Sequence, residues 1–363
     1  MRVVIAGGGT GGHFFPGLAI AREFTAKNSG ARVLFISTGN PFERSTLAKT
    51  GYPMACIRAE GIKGKRFHRK VRAILKIPTA IFSVLSILKD FRPDLVIGVG
   101  GYSSAPVVLG AWLLRVRIAI CEQNKIPGIT NRLLSYVADR IYVSFPDTKI
   151  GKNQAKAHFT GNPVRQEILS HPDRRLDPEE GPGTAPFTVL VMGGSQGAHA
   201  INMAILGAIS YLKEKKAYKF IHQTGPFDAE MVAQAYLKSG ISAAVAPFFE
   251  DMARQYQRAD LVICRAGATT VAELTAGGKG SLLIPFPFAA DNHQVSNARS
   301  LSDRGAAEMI LQKDLTPQML ADRIAYYAFN PDALRQLGRN AKRLGNPDAA
   351  GCIVKDCYNL VGP

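Results

Sequence analysis

Short runs of β-branched and other apolar residues alternate with longer helical patterns through the first half of the chain. These runs predict five strands, at residues 3–6, 33–37, 95–99, 118–121 and 140–143. Apolar runs that are separated by helical patterns are typical of parallel strands covered by helices. The first half therefore predicts an α/β domain with a doubly wound sheet, ending near residues 161–163.

The same pattern restarts after residues 171–186, a polar segment rich in Pro, Gly and acidic residues that predicts a surface connection. Further strands are predicted at residues 188–192, 219–222, 243–246, 261–264 and 281–284. Each half opens with a strand that leads through a glycine-rich turn into a helix. The chain therefore predicts an α/β protein of two Rossmann-like domains that face one another.

Positive charge is concentrated in the first half of the chain. The protein has 363 residues and a formal net charge of +17. Residues 1–160 hold 24 Lys and Arg against 8 Asp and Glu, whereas residues 161–363 hold 21 against 20. A basic half on an otherwise neutral protein predicts a polyanionic partner, either nucleic acid or an anionic membrane surface.

The sequence predicts no secretion signal, membrane span or metal centre. The chain begins directly with a strand pattern, which predicts no signal peptide. Its longest apolar stretch, residues 77–88, is well short of the ~20 residues that a spanning helix needs. The five cysteines are scattered without metal-ligand spacing, which predicts reduced thiols in a cytosolic protein.

The turn after the first predicted strand reads GGGTGGH at residues 7–13. Gly7, Gly9 and Gly12 formally satisfy the G-x-G-x-x-G pattern of a dinucleotide site. That site also needs an acidic residue at the end of the second strand to bind a ribose diol, and here Glu43 comes only later. Two interpretations stay open: a turn that merely connects strand and helix, or a dinucleotide site.

Two turns in the second half have the same character. The sequence GGSQGA at residues 193–198 brings backbone N–H groups to a helix start, where phosphate oxygens are favoured. It lacks the Lys-Ser/Thr of a P-loop, so a diphosphate fits better than a triphosphate on magnesium. The sequence CRAGATTVAEL at residues 264–274 also enters a helix, in which Glu273 is expected on a solvated face. Polar side chains at residues 291–297 suit sugar recognition.

Six stretches, in this order and spacing, resemble one family: GGGTGGHFFPGLAIA, GVGGYSSAP, EQNKIPGITNRLL, TGNPVR, GGSQGA and CRAGATTVAEL. They look like the MurG-type glycosyltransferases of bacterial peptidoglycan synthesis, and the resemblance covers nearly the whole chain. Those enzymes have the GT-B fold, two Rossmann-like domains across a cleft. They transfer N-acetylglucosamine from UDP-GlcNAc to the C4 hydroxyl of lipid I, giving lipid II, at the cytoplasmic face of the cell membrane. The resemblance implies the same fold and activity here, with no metal cofactor.

The resemblance also implies a domain organisation and a donor site. Residues 164–335 would bind UDP-GlcNAc, and a C-terminal helix at residues 336–363 would pack back on the first domain. Ser195 and its turn would bind the diphosphate, Glu273 the ribose and the backbone at Phe249 the uracil. The implied donor residues are Thr10, Gly11, Gly12, Asn124, Arg165, Ser195, Phe249, Ala268, Thr269, Glu273, Gln294 and Asn297.

Residues 1–163 would take the acceptor, with the first glycine-rich turn as the cradle of its diphosphate. The implied residues are Gly9, Thr10, Gly12, His13, Tyr102, Ser103, Gln123 and Asn124. Lipid I carries an undecaprenyl chain, so a peripheral membrane contact is expected from the basic segment at residues 61–76. The contact residues expected there are Lys65, Arg66, Phe67, Arg69 and Lys70. The apolar stripe at residues 74–88 is expected to pack inward.

Inverting transfer needs a base for the acceptor hydroxyl and a stabiliser for the leaving diphosphate. The helix start after residues 193–198 is the expected stabiliser. His13 is the expected base because imidazole titrates near neutral pH; alternatively, His13 only binds phosphate or caps the turn. Glu122 is the rival base.

Three other functions match parts of the pattern. A GT-B enzyme with another acceptor, such as a diacylglycerol glycosyltransferase, would share the fold and the basic face. A nicotinamide-dependent oxidoreductase is disfavoured by the missing acidic residue and the second glycine-rich turn. A nucleic-acid binder is disfavoured because the basic segment has no interleaved aromatic residue besides Phe67. The expected partners are therefore UDP-GlcNAc, lipid I, an anionic membrane surface and other cell-wall synthesis proteins, and no nucleic acid.

Overall fold

The computed structural model describes residues 1–59, 77–169 and 186–362. The chain forms two compact units, one of Met1–Arg165 with Asn346–Pro363 and one of Gln166–Gly345. The boundary expected after residue 163 falls two residues before this division. The expected membrane-contact residues, Lys65 to Lys70, lie outside the described residues.

Among the described residues, the first unit contains a sheet of seven parallel strands. They are β1 (Arg2–Ala6), β2 (Arg32–Ser37), β3 (Met54–Cys56), β4 (Leu95–Gly98), β5 (Arg117–Glu122), β6 (Arg140–Val143) and β7 (Ala157–Phe159). Their order is β3-β2-β1-β4-β5-β6-β7. The five predicted strands are present. β3 and β7 have only three residues each, none of them buried, and their apolar pattern was too short to predict them.

Successive side chains of a strand point to opposite faces of the sheet, and here they are apolar on both. Helices therefore cover both faces of this sheet. They are α1 (Gly11–Lys27), α2 (Pro41–Ala48), α3 (Ile77–Phe91), α4 (Ser104–Leu113) and α5 (Ile129–Leu134). Val3 and Ile5 pack in the core on one face, whereas Val4 packs with Val84 and Leu88 of α3 in the core on the other. The apolar stripe of α3 therefore faces inward at these positions, as predicted. Within the described ranges, no helix is both long and apolar enough to cross a membrane.

The second unit repeats this architecture. Its described strands are β8 (Phe187–Met192), β9 (Tyr218–Gln223), β10 (Ser242–Ala246), β11 (Leu261–Cys264), β12 (Ser281–Leu283) and β13 (Glu308–Met309). They are ordered β10-β9-β8-β11-β12-β13, the same permutation as the first six strands of the other sheet. Its described helices are α6 (Gln166–Leu169), α7 (His199–Ala208), α8 (Ala229–Ser239), α9 (Met252–Arg258), α10 (Ala268–Gly277), α11 (His293–Ser302), α12 (Pro317–Phe329) and α13 (Pro331–Leu344).

The C-terminal segment differs from the single helix expected over residues 336–363. Helix α13 begins earlier and packs against α10 in the second unit. The last helix, α14 (Ala349–Val361), packs against α1 in the first unit, where Ile353 and Val354 are fully buried. The return to the first unit is therefore made by α14 alone, because only its apolar face completes that core.

Candidate active-site loops

In both units the strand order reverses beside the first strand. β1 lies next to β4, and β8 lies next to β11. The carboxyl ends of these neighbours are level, since Ala6 pairs with Gly98 and Met192 pairs with Cys264. In open parallel sheets, ligands bind in the crevice outside the strand ends at this point. This rule predicts a ligand crevice at the switch point of each sheet, beside the glycine-containing turns that follow these strands.

Glycine shapes the first crevice. Gly7, Gly8 and Gly9 have φ values of 140°, 150° and 92°, a region that residues with a Cβ rarely adopt. Gly8 also lies against the carboxylate of Glu43 with no room for a Cβ. Helix α1 then begins at Gly11 without a side-chain cap. The first turn of α1 is therefore suited to an anion, because the positive end of the helix dipole lies there.

Glu43 is fully buried and braces this turn. Its carboxylate accepts hydrogen bonds from Gly9 N at 2.5 Å, Ser37 Oγ at 2.9 Å and Asn40 N at 3.1 Å. The N–H of Gly9 is thereby engaged within the protein, and the assignment of Gly9 to the acceptor stays a prediction. The sequence signal for Glu43 was the capping box Asn-x-x-Glu at the start of α2.

His13 lies in the first turn of α1, and Gln123 orients its ring. Gln123 Nε2 donates to Val99 O at 2.9 Å, which places Oε1 at 3.2 Å from His13 Nδ1. Because an amide oxygen only accepts, the proton of the neutral imidazole lies on Nδ1 and the lone pair on Nε2. A Cβ on Gly100 would approach His13 Nδ1 to 2.8 Å, so the turn after β4 also needs glycine here.

Glu122, at the end of β5, is 2% exposed and holds the following loop. Its Oε1 accepts from Asn124 N at 2.9 Å, and its Oε2 accepts from Gly128 N at 3.0 Å and Asn131 Nδ2 at 2.8 Å. Burial raises the pKa of this carboxyl, and the hydrogen bonds oppose the shift. Both oxygens face the loop, which suits a brace for Gln123 and Asn124 better than a base.

The other residues expected around the acceptor also lie in the first unit. Tyr102 is exposed beside Gly9, whereas Ser103 is buried and precedes α4. Arg165, expected as a donor ligand, also belongs to this unit, and its guanidinium lies 4.4 Å from the ring centroid of Phe15. The remaining expected donor ligands in the first unit are Thr10, Gly11, Gly12 and Asn124.

The GGSQGA turn connects β8 to α7 in the second unit. Gly194 and Gly197 have φ values of 89° and 76°, and Gly197 packs on the carbonyl of Thr224 so closely that no Cβ fits. Ser195 is exposed in this turn. Helix α7 begins at His199, so the turn delivers its N-terminus to the carboxyl end of β8. The arrangement suits a phosphate group.

The second turn of this crevice leads from β11 into α10. Ala268 and Thr269 form the first turn of α10 and are nearly buried. Glu273 follows one turn later, and its Oε2 accepts a hydrogen bond from Tyr256 OH at 3.1 Å. Glu273 is buried, so the expectation that it lies on a solvated face is wrong.

Helix α11 carries the side chains expected at the sugar. Asn297 is buried and its Nδ2 donates to Ala266 O at 3.2 Å, which ties α11 to the turn before α10. Gln294 is half-buried and its Oε1 accepts from Phe286 N at 2.9 Å. Both amides therefore lie at the edge of the second crevice and hold its loops.

Arg265 is a residue that the sequence analysis did not select. It is nearly buried after β11, and its Nη1 donates to Ile284 O at 3.1 Å and Pro285 O at 3.2 Å. Its Nη2 donates to Gln312 Oε1 at 2.6 Å. Burial lowers the pKa of the guanidinium to about 10, so it remains charged at neutral pH. Arg265 fixes the beginning of the loop that carries Phe286.

A buried hydrogen-bonded chain lies between α7 and β9. Asn202 Nδ2 donates to Asp228 Oδ2 at 2.7 Å and to Thr224 O at 2.9 Å, which leaves its Oδ1 to accept from His222 Nε2 at 3.0 Å. Tyr236 OH then donates to His222 Nδ1 at 3.1 Å. Burial lowers the pKa of His222 to about 3, and Asp228 opposes the shift. The neutral imidazole is therefore part of the support beneath the turns of the second crevice.

Both halves of the chain match known glycosyltransferase domains. Residues 3–143 match the glycosyltransferase family 28 N-terminal domain, and residues 188–352 match the glycosyltransferase family 28 C-terminal domain. In the part of the chain that the structure describes, no group of three or more His, Cys, Asp or Glu side chains is arranged for a metal ion. The predicted fold class is confirmed: this is an α/β glycosyltransferase of the GT-B type, with two Rossmann-like domains.

Full-length relatives narrow the class. The chain is 46% identical over 363 residues to the UDP-N-acetylglucosamine–N-acetylmuramyl-(pentapeptide) pyrophosphoryl-undecaprenol N-acetylglucosamine transferase of Syntrophus aciditrophicus, covering 99% of both chains. It is 44% identical to the enzyme of that name from Anaeromyxobacter sp. strain K, covering 99% of this chain and 93% of the relative. The crystal structure of Acinetobacter baumannii MurG superposes with a TM-score of 0.77 at 31% identity, covering 99% of both chains. The chain therefore belongs to the MurG-type N-acetylglucosaminyltransferase family.

Acid is expected to destabilise the second unit through His222. The unfolded chain takes up a proton at this imidazole below pH 6.5, whereas the folded unit does so only near pH 3. The stabilisation is therefore complete above pH 6.5 and is lost as the pH falls towards 3, by about 2 kcal/mol at pH 5. We expect His222→Gln to lose less thermal stability than the wild type between pH 7 and pH 5, measured by calorimetry.

The exposed imidazole of His158 provides the control. His158→Gln should show the same pH dependence as the wild type. If His222→Gln also kept that dependence, the contribution of the buried imidazole would be refuted.

Proposed function

We propose that this protein transfers N-acetylglucosamine from UDP-GlcNAc to undecaprenyl-pyrophosphoryl-N-acetylmuramyl-pentapeptide (lipid I), forming lipid II for peptidoglycan synthesis. The observation that carries the proposal is the 46% identity, over 99% of both chains, to a transferase named for these substrates. The two crevices support it, because donor and acceptor each contain a diphosphate and each crevice offers a helix N-terminus to an anion.

The second unit takes UDP-GlcNAc in this proposal. The N–H groups at Ser195 and the first turn of α7 bind the diphosphate, as the positive end of the helix dipole favours. Glu273 accepts hydrogen bonds from the ribose hydroxyls, and the backbone at Phe249 contacts the uracil. Gln294 and Asn297 recognise the sugar, while Ala268 and Thr269 shape its pocket.

The first unit takes the acceptor, and His13 is the base. Gln123 holds the proton on His13 Nδ1, so Nε2 removes the proton from the C4 hydroxyl. The hydroxyl oxygen forms a bond to the anomeric carbon while the bond from that carbon to the UDP oxygen breaks on the opposite face. The electron pair leaves with UDP, and the N-terminus of α7 stabilises the added negative charge. Glu122 acts as a brace because both of its oxygens accept loop hydrogen bonds.

A transfer assay tests the reaction. The purified protein is incubated with lipid I and radiolabelled UDP-GlcNAc, with and without EDTA. We expect lipid II to form at similar rates in both, because a helix dipole rather than a divalent ion stabilises the leaving group. UDP-glucose should give less than about a tenth of this rate. Transfer to diacylglycerol but not to lipid I would instead identify the protein as a diacylglycerol glycosyltransferase.

Variants of His13 test its role as the base. His13→Ala should lower kcat by about 10²–10⁴-fold, as expected for the loss of general base catalysis, with little change in the acceptor KM. Glu122→Gln, the matched variant of the rival base, should lose less kcat. A His13→Ala enzyme with full kcat and a raised acceptor KM would assign His13 to phosphate binding instead.

Peripheral binding to the cytoplasmic face of the cell membrane completes the proposal. Helices α3, α4 and α5 cover the same face of the first sheet, and each exposes large apolar side chains. Phe82 on α3 is 73% exposed, Trp112 on α4 is 53% exposed and Leu133 on α5 is 66% exposed. The basic segment at residues 61–76 precedes α3 in sequence, and each basic residue near an anionic surface contributes about 1 kcal/mol. Together they suit a surface that holds the enzyme where its lipid acceptor is.

Charge reversal tests the membrane contact. Replacing the basic segment's Lys65, Arg66, Arg69 and Lys70 by Glu should abolish co-sedimentation with vesicles that contain anionic lipid, while UDP-GlcNAc binding is retained. Replacing Lys213, Lys215 and Lys216 of the second unit by Glu is the control and should leave vesicle binding unchanged. Equal binding of both variants and the wild type would contradict the proposal.

A further inference from the structure

Gln223 occupies a central position beneath the donor crevice. It is the last residue of β9, and it pairs with Met192 of β8 on one side and Ala246 of β10 on the other. The GGSQGA turn follows Met192, and the loop that carries Phe249 follows Ala246. Gln223 therefore lies between the turn assigned to the diphosphate (the diphosphate turn) and the loop that carries Phe249 and is assigned to the uracil (the base loop). Its side chain is 2% exposed.

The side-chain amide of Gln223 connects these two segments. Its Nε2 donates to Gly194 O at 3.1 Å, and its Oε1 accepts from Phe249 N at 3.0 Å. The two hydrogen bonds run in opposite senses, so a primary amide of this length can make both, whereas Glu lacks the donor and Met lacks both groups. One side chain therefore ties the two segments together.

Peptide geometry extends this effect to the ligand-facing side of the turn. The carbonyl of Gly194 and the N–H of Ser195 belong to one trans peptide group, so they point in opposite directions. Because Gln223 holds the carbonyl, it also directs the Ser195 N–H away from itself. Gly194 has a φ of 89°, a conformation that a Cβ would disfavour.

The main chain around Gln223 is held as well. Thr224 N donates to Ala246 O at 3.1 Å, and Gly225 N donates to Pro247 O at 3.1 Å. Asn202 Nδ2 donates to Thr224 O at 2.9 Å from the opposite side. The amide of Gln223 is therefore presented from a fixed backbone, which makes it suitable for setting a distance.

We infer that Gln223 is a positioning residue for the donor, which sets the spacing between the diphosphate turn and the base loop and thereby favours a nucleoside diphosphate over the nucleoside alone. The inference rests on the proposed function, since it assumes that these two segments bind one nucleotide. A ligand that contacts both segments gains from their fixed spacing, because the second contact is then made without further ordering. A nucleoside contacts the base loop and Glu273 but not the diphosphate turn, so it gains nothing from the spacing.

The test compares UDP and uridine by isothermal titration. Gln223→Met keeps the side-chain length and removes both hydrogen bonds, so the ratio of the uridine Kd to the UDP Kd should fall by about five- to tenfold relative to the wild type. Thr188→Val removes a buried hydroxyl that donates to Pro186 O at the opposite end of β8, so it is the control and should keep the ratio within about twofold. A variant that is merely less stable would show a lower melting temperature with an unchanged ratio.

The outcomes separate this inference from the proposed function. If the wild type binds UDP but Gln223→Met keeps the same ratio of the uridine Kd to the UDP Kd, the positioning role alone is overturned. Any equal change in the two Kd values counts as this result. Failure of the wild type to bind UDP would overturn the proposed donor and the inference together. If Gln223→Met does not fold, Gln223→Glu serves: it keeps the acceptor for Phe249 N, so uridine binding should persist while UDP binding weakens. Equal losses of both ligands would refute the inference.

Discussion

The aligned peptide dipoles of a helix make its N-terminus electropositive, and both crevices depend on this interaction. In each unit a glycine-rich turn brings such a helix end to the carboxyl edge of a parallel sheet, beside the strand where the order reverses. An anion at such a helix end is stabilised by the positive end of the helix dipole. The same physical solution therefore occurs twice in one chain, once for each diphosphate of the proposed reaction.

Buried polar side chains hold these turns in shape. Glu43 fixes the turn after β1, Glu122 fixes the loop after β5, and Gln223 ties the turn after β8 to the loop after β10. Each of them bonds to backbone groups that would otherwise be buried without a hydrogen-bond partner, which would lower the stability of the fold. Such side chains decide which backbone groups face the crevices.

The two units differ in what surrounds their crevices. The first half of the chain carries nearly all of the excess positive charge, and its helices α3, α4 and α5 expose aromatic and aliphatic side chains. The second half is nearly neutral and has a buried neutral imidazole beneath its turns. This division fits a lipid-linked acceptor at the first unit and a soluble nucleotide sugar at the second.

The sequence by itself determined the two α/β domains and the turns at their first strands, because buried parallel strands and glycine-rich turns leave a local pattern. The family also followed from six ordered motifs. Only the tertiary structure decided that Glu43 engages the N–H of Gly9, that Glu273 is buried and that α14 alone returns to the first unit. It also revealed Arg265 and Gln223, whose partners lie up to 47 residues away in sequence. A hydrogen bond between distant residues leaves no local pattern, since its geometry exists only after the strands have paired.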